Sequence, residues 1–214
     1  DNIGTTGFPF QRIEGAQIMV GTFGPHTACE FVGAVAMLGS GRNQAPAVWL
    51  ATNGQAAKIS TMDIDLILQS YTETQLATSF LETRVGRDYQ HLVLHLPDQT
   101  IVYDPAVSQK VGQPVWFILS SGTDYTSTWR VSDMVWAYDK WNVADTQSGA
   151  IGYLTESVST HWGEPVGWEF STTILYNEGR GAIIHDLELV ALTGRNALGP
   201  EPKIYTQYTT DGVN

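Results

Sequence analysis

The sequence predicts an all-β fold: a partial β-propeller of about three blades with one short helix between blades, followed by a β-sandwich-like segment. Three observations predict it. Apolar residues recur with a period of two over short runs, as in half-buried strands. Turn signals separate these runs, among them Thr52-Asn53-Gly54, Ser121-Gly122-Thr123-Asp124 and Asn177-Glu178-Gly179. The third observation is a weak repeat: Trp49, Tyr103 and Tyr153 sit in strand-like triplets that each follow a turn, 54 and 50 positions apart. That interval is close to the roughly 40 to 50 residues of one propeller blade.

The elements follow in order. Phe31 to Leu38 and Ala47 to Thr52 read as strands. Ser60 to Tyr71 breaks the pattern, because Ile64, Ile67, Leu68 and Tyr71 form a helical stripe and Ser60-Thr61-Met62-Asp63 offers an N-cap with an acid three residues on. Asp63 and Asp65 in the first turn suit the positive end of the helix dipole, which explains both without a metal or acid-base role. From Tyr89 to Leu96, Gln90, Leu92, Leu94 and Leu96 share one face while Tyr89, His91, Val93 and His95 share the other. Pro97-Asp98-Gln99 turns the chain into a returning strand, Thr100 to Asp104, and further strands are expected at Val115 to Ser120, Val131 to Tyr138 and Ala150 to Leu154. At His161-Trp162-Gly163-Glu164-Pro165 the rhythm changes to longer runs, Gly167 to Leu175, Ala182 to Leu192 and Lys203 to Tyr208. The expected division is a propeller portion over 1–160 and a sandwich-like portion over 161–214, truncated at its C-terminus. A propeller needs at least about four blades to close, so three cannot close alone. The start at Asp1 and the hairpin-like end at Thr210-Asp211-Gly212-Val213-Asn214 read as a piece of a longer protein.

Composition narrows the functional classes. The chain has 11 basic and 22 acidic side chains, a net charge of −11 and a charged fraction of 15%, against roughly 25% in ordinary soluble domains. So few cations cannot neutralise many phosphates, which argues against nucleic-acid affinity through counterion release, and no sequence-specific nucleic-acid binding is expected. Cys29 is the single cysteine, so neither an internal disulfide nor a zinc site on paired cysteines is available. The longest apolar run, Phe31 to Leu38, is interrupted by Gly33 and falls far short of a membrane-spanning helix. No membrane association and no secretory leader are expected.

Candidate chemistry is sparse. His91 and His95 stand four apart, but on a strand that spacing separates them by about 13 Å, too far to share one metal ion. His26 and Cys29 lie three residues apart as a conceivable thiol-imidazole pair, yet no neighbouring cation in the sequence lowers the thiol pKa. No nucleophile elbow, phosphate loop, dinucleotide fingerprint or zinc-protease motif occurs. The enzyme alternative is a glycan-binding or glycan-hydrolysing, sialidase-like propeller, since such enzymes gather isolated residues from many blades. Thr209-Thr210-Asp211-Gly212 loosely resembles the Asp-box turn of those blades, but its Asp and Gly are adjacent where that motif spaces them. Arg12, Arg42, Arg84, Arg87, Arg130, Arg180 and Arg195 are scattered. Trp116, Trp129, Trp136 and Trp141 fall close together, as sugar platforms or, more simply, as wedges between packed blades.

A family resemblance covers most of the chain, from about Gly15 onward and weakest between Val158 and Gly181. It is carried by His91-Leu92-Val93-Leu94-His95-Leu96-Pro97, Val102-Tyr103-Asp104 and Val115-Trp116. Ala57-Lys58-Ile59-Ser60-Thr61 leading into Ile64 to Thr72, Trp129-Arg130 with Asp133-Met134, and Tyr208 to Gly212 add to it. In their order and spacing these segments resemble the packaged-DNA stabilisation proteins of short-tailed lambdoid enterobacterial phages, also called tail accessory factors or tail hub proteins. Members extend beyond this chain at both ends, so it looks like their C-terminal half without the last strands.

The resemblance implies a structural, non-enzymatic virion protein of the phage tail, assembled in the host cytoplasm. It implies a homo-oligomeric ring, a hexamer, below the portal and its adaptor protein, closing the DNA exit channel and presenting surfaces to the tail needle and tailspikes. It supplies no catalytic, cofactor-binding or metal residue, and no cofactor. Low charge density suits a surface largely covered by neighbours, and acids facing a lumen would repel phosphates rather than bind them. A generic scaffold propeller is the remaining alternative.

Overall fold

The computed structural model describes residues 17–124, 126–155, 157–158, 160–171, 180, 183–189 and 204–209. The first sheet contains β1 (Val20–Thr22), β2 (Ala28–Phe31), β3 (Ala34–Gly41), β4 (Ala47–Thr52) and β5 (Gln55–Lys58). Helices α1 (Met62–Gln69) and α2 (Glu73–Ala77) lead to the second sheet. That sheet is β6 (Phe80–Val85), β7 (Gln90–His95), β8 (Thr100–Asp104) and β9 (Val115–Leu119), with α3 (Pro105–Val111) between its last two strands. The third sheet is β10 (Val131–Ala137), β11 (Lys140–Asp145) and β12 (Ile151–Tyr153), and a short hairpin pairs β13 (Thr160–His161) with β14 (Glu164–Pro165).

Each of the three larger sheets is an antiparallel meander, apart from β1, which joins β2 on the same side of β3. The hairpins are tight because two-residue turns with positive φ match strand twist. Asn53 and Gly54 supply this between β4 and β5, and Tyr138 and Asp139 between β10 and β11. Phe31 to Leu38, expected as one strand, is instead the end of β2, a turn at Val32 (φ 51°) and Gly33 (φ 71°), and the start of β3. The apolar Val32 concealed the turn.

The aromatic repeat has a structural meaning. Trp49, Tyr103 and Tyr153 lie on β4, β8 and β12, the third strand of each meander counted from β2, β6 and β10. Those first strands meet one another: Thr83 Oγ1 donates to Glu30 O at 2.6 Å, and Met134 N donates to Glu82 Oε2 at 3.0 Å. The sheets are therefore stacked as blades, with β2, β6 and β10 innermost.

The middle blade is buried on both faces, as strand alternation allows. Leu92, Leu94, Ile101 and Tyr103 pack toward the first sheet with Phe31, Leu38, Val48 and Leu68, while Val93 and Val102 pack toward the third with Trp129, Val131, Met134 and Val143. The histidine face of β7, expected as its less apolar side, thus faces a neighbouring blade rather than solvent.

The helical expectation is extended. Among the described residues three short helices are present rather than one, and α1 is capped by Thr61, not Ser60. Helix α2 has a complete capping box between Thr72 and Gln75, and α3 starts at an Asp104 cap followed by Pro105 and ends at Gly112 (φ 79°). Of the longer strands expected after residue 161, the described stretches 167–171, 183–189 and 204–209 belong to no strand, and the remainder lies outside the described residues.

Candidate functional site

The polar chemistry of the chain gathers at the seam between the middle and third blades. His95 is buried and its Nε2 lies 2.6 Å from Glu82 Oε1, a carboxylate on the adjacent strand. The other oxygen of Glu82 accepts from the Met134 backbone, so one side chain ties β7 to β10. Phe80 stacks on the His95 ring at 4.2 Å and Trp129 lies 5.8 Å from it. Four residues along the same face, His91 Nε2 lies 3.4 Å from Asp104 Oδ2, and its ring stacks on Tyr89 at 4.5 Å. Burial lowers the His91 pKa, with Asp104 opposing. His91 and His95 thus each face a carboxylate of their own, Asp104 and Glu82.

A second cluster closes one end of this seam. Arg130 grips Asp145 through Nε (3.0 Å) and Nη2 (2.6 Å), a two-pronged pairing that a planar guanidinium favours. Gln147 N and Ser148 Oγ also donate to Asp145, whose side chain is fully buried. These bonds hold its carboxyl far below the usual range. Ser121 Oγ accepts from Arg130 N at 3.1 Å and lies 3.0 Å from His161 Nδ1. Burial lowers the His161 pKa and the Arg130 charge adds to this. Beside the cluster lies a shallow polar cavity of about 250 Å³, lined by Thr123, Ser127, Gln147 and Glu164 among others. A glycan-processing site should show clustered arginines facing a carboxylate pair. The cavity contains one arginine, and it is already committed to Asp145.

The remaining sequence candidates separate. Cys29 Sγ contacts Thr83 Oγ1 at 3.7 Å, and burial raises its thiol pKa, the opposite of what a nucleophile needs. His26 is exposed and contributes its backbone carbonyl to Leu81 N at 2.9 Å. Asp63 is exposed in the first helical turn, as a dipole explanation requires. Asp65 needs a different one: it is buried, accepts from Ser60 Oγ at 2.6 Å and pairs with Lys58. Ser60 in turn accepts from Val48 N at 3.1 Å, so this trio docks α1 onto β4. Among the described residues no group of three or more His, Cys, Asp or Glu side chains could hold a metal ion.

The tryptophans split in a way the sequence did not show. Trp116 Nε1 donates to Ile59 O (2.9 Å) across the first seam, and Trp141 Nε1 to Val85 O (2.7 Å) across the second. Trp129 is buried in the second seam, whereas Trp136 is exposed. Three of the four are blade wedges. Glu82, Asp145 and Ser121, which organise the seam, were not singled out from sequence. Met134 for Glu82, Arg130 for Asp145 and His161 for Ser121 are partners 52, 15 and 40 positions away, with no local signal to announce them. Asp211 and Gly212 lie outside the described residues.

These stacked antiparallel meanders invite comparison with known propellers. The family described as the β-propeller of bacteriophage P22 Gp10 matches residues 1–159, and the family described as the β-sandwich of the same protein matches residues 167–214. The chain belongs to the P22 Gp10 family. Its fold is therefore a β-propeller portion followed by a β-sandwich portion. Among curated proteins it is similar to the tail hub protein gp10 of Salmonella phage P22, with 27% identity over 197 residues. The match covers 92% of this chain and 40% of the relative, so the chain spans well under half of that protein's length.

Proposed function

We propose that this chain is part of a structural tail hub of a short-tailed phage, resident in the virion and without enzymatic activity. The observation that carries the reading is the successive match of propeller and then sandwich to the P22 Gp10 family, together with similarity to a tail hub protein over 92% of the chain. In this reading the full-length protein forms a hexameric ring below the portal and its adaptor protein. The ring closes the DNA exit channel and offers attachment to the tail needle and tailspikes, after assembly in the host cytoplasm. The propeller portion is assigned to 1–160 and the sandwich portion to 161–214, with no catalytic, cofactor or metal residue in either.

Two physical features support it. Polar side chains at the seams are spent on holding blades together, as in a scaffold. Glu30 and Asp133 are exposed acids on the innermost strands β2 and β10, where negative charge would discourage phosphates from settling. The test is assembly. Full-length protein added to a DNA-filled portal-adaptor particle is expected to bind as a ring and stop DNA leakage. A soluble monomer indifferent to that particle would end this reading.

A further inference from the structure

The three innermost strands run in one direction. Leu81 N donates to His26 O and Thr83 Oγ1 to Glu30 O, so β2 and β6 advance together. Met134 N donates to Glu82 Oε2, and Trp141, the cross-strand neighbour of Trp136, donates from Nε1 to Val85 O, so β6 and β10 do the same. The C-terminal ends of all three strands, with the hairpin turns that follow, therefore lie on one rim of the stacked blades. At the second seam this rim is apolar and open to water. Val85 is 49% exposed and Trp136 56%, although blades flank the seam on both sides. Trp141 joins the two, its ring 5.5 Å from that of Trp136. Further blades would add at the sides of the stack and leave a rim uncovered.

Two other observations mark this rim as a contact surface. Tyr138, in the turn after β10, holds φ 55°, a left-handed conformation that the chain elsewhere gives to Asn43 and Asn53. Its side chain is 94% exposed, so no packing within the described chain compensates for the strain. Strain kept without an internal reason points to function. The second observation is charge. Arg84, Arg87 and Lys140 lie at the same end of the strands and pair with no carboxylate among the described residues. Arg84 Nε is buried without a hydrogen-bond acceptor, its guanidinium 5.2 Å from the Tyr89 ring, and Lys140 Nζ lies 4.3 Å from the Tyr153 ring. Against Asp88 and Asp139 in the same turns, these cations leave the rim slightly positive in a chain of net charge −11.

We propose that this rim docks an acidic segment of another protein. Apolar side chains of that segment would rest on Val85, Trp136 and Tyr138, and its carboxylates would meet Arg84, Arg87 and Lys140. Trp, Tyr and Arg are the residues that dominate binding at protein interfaces. Duplex DNA would engage the cations through its phosphates but leave the apolar side chains in water, so it fits less of the surface. The proposal rests on the geometry of the blades and not on the tail reading, so either can fail without the other.

The experiment selects short random peptides on immobilised full-length protein. Enriched peptides are expected to combine Asp or Glu with large apolar residues, and to bind more weakly as salt is raised, because ions screen exposed charges. Tyr138→Asn and Arg84→Gln are each expected to weaken the best peptide about tenfold or more, the loss typical of truncating an interface anchor. Tyr138→Asn also controls for folding: Asn suits the left-handed turn, so its thermal midpoint should equal or exceed that of the parent while binding falls. Enrichment of peptides without acidic residues, no enrichment at all, or acidic peptides that hold both variants as tightly as the parent would each overturn the proposal. So would a labelled DNA duplex that binds the parent and is released by both variants, which would assign the rim to nucleic acid.

Discussion

At the scale of single residues, the second seam is a set of buried polar groups whose satisfaction is mutual. Glu82 serves both His95 and the Met134 amide. Glu82→Ala strands two buried partners at once, and an unmade buried hydrogen bond costs about 1–3 kcal/mol. A drop of that size in the unfolding free energy from urea titration is expected, with Glu82→Gln falling in between because its amide oxygen still accepts. The same seam should sense acid. His91 and His161 are both held below the ordinary imidazole value of 6.5, first by burial. A depressed pKa means the unfolded chain takes up the proton first, so stability is present above the unfolded value and is lost as pH falls through it toward the folded one. The urea midpoint should therefore fall between about pH 7 and pH 5. His161→Gln should flatten that decline, and parallel curves for the two proteins would show that His161 does not contribute. Asp145 acts only at far lower pH, since Arg130 and Ser148 hold its carboxyl ionised well below the usual carboxylate range.

At the scale of elements, the turn between β2 and β3 is where local preference and fold disagree. Val32 adopts φ 51° and is 55% exposed, a left-handed conformation that β-branched residues resist. Asn is at home there, so Val32→Asn should raise stability by about 1 kcal/mol, read as a higher thermal midpoint, with no packing lost. An unchanged or lowered midpoint would mean that Val32 makes a contact outweighing its strain. The same residue shows what was legible in sequence. Ala47 to Thr52 is legible to its true limits because Asn53-Gly54 announces the turn, whereas Val32-Gly33 announces nothing. Strand β6 is hidden in the sequence because its polar positions, Glu82 and Arg84, look like surface although Glu82 is turned to the seam. Helix α3 carried its signals, Asp104-Pro105 and Gly112, but its seven residues are too few to show a stripe. The candidate seam was less legible than the strands, since Glu82 and Met134 are 52 positions apart and meet only once the blades stack.

At the scale of the whole molecule, the two seams differ in kind, and this sets an order of stability. Between the first and middle blades lies a core of fourteen buried residues, all aliphatic or aromatic, to which α1 and α2 contribute Ile64, Leu68 and Leu76. Between the middle and third blades the apolar core has six, and the rest of the contact is polar, built on Glu82, His95, Arg130 and Asp145. Apolar burial stabilises by about 25 cal/mol per Å² of surface removed from water, whereas a buried ion pair must first offset its own desolvation. The third blade should therefore open before the other two. Native-state exchange tests this directly: the sheet amides of β10 and β11 are expected to exchange through a lower-energy opening than those of β7 and β8, which are covered on both faces. Equal opening energies for the two sheets would mean that the polar seam contributes as much as the apolar one.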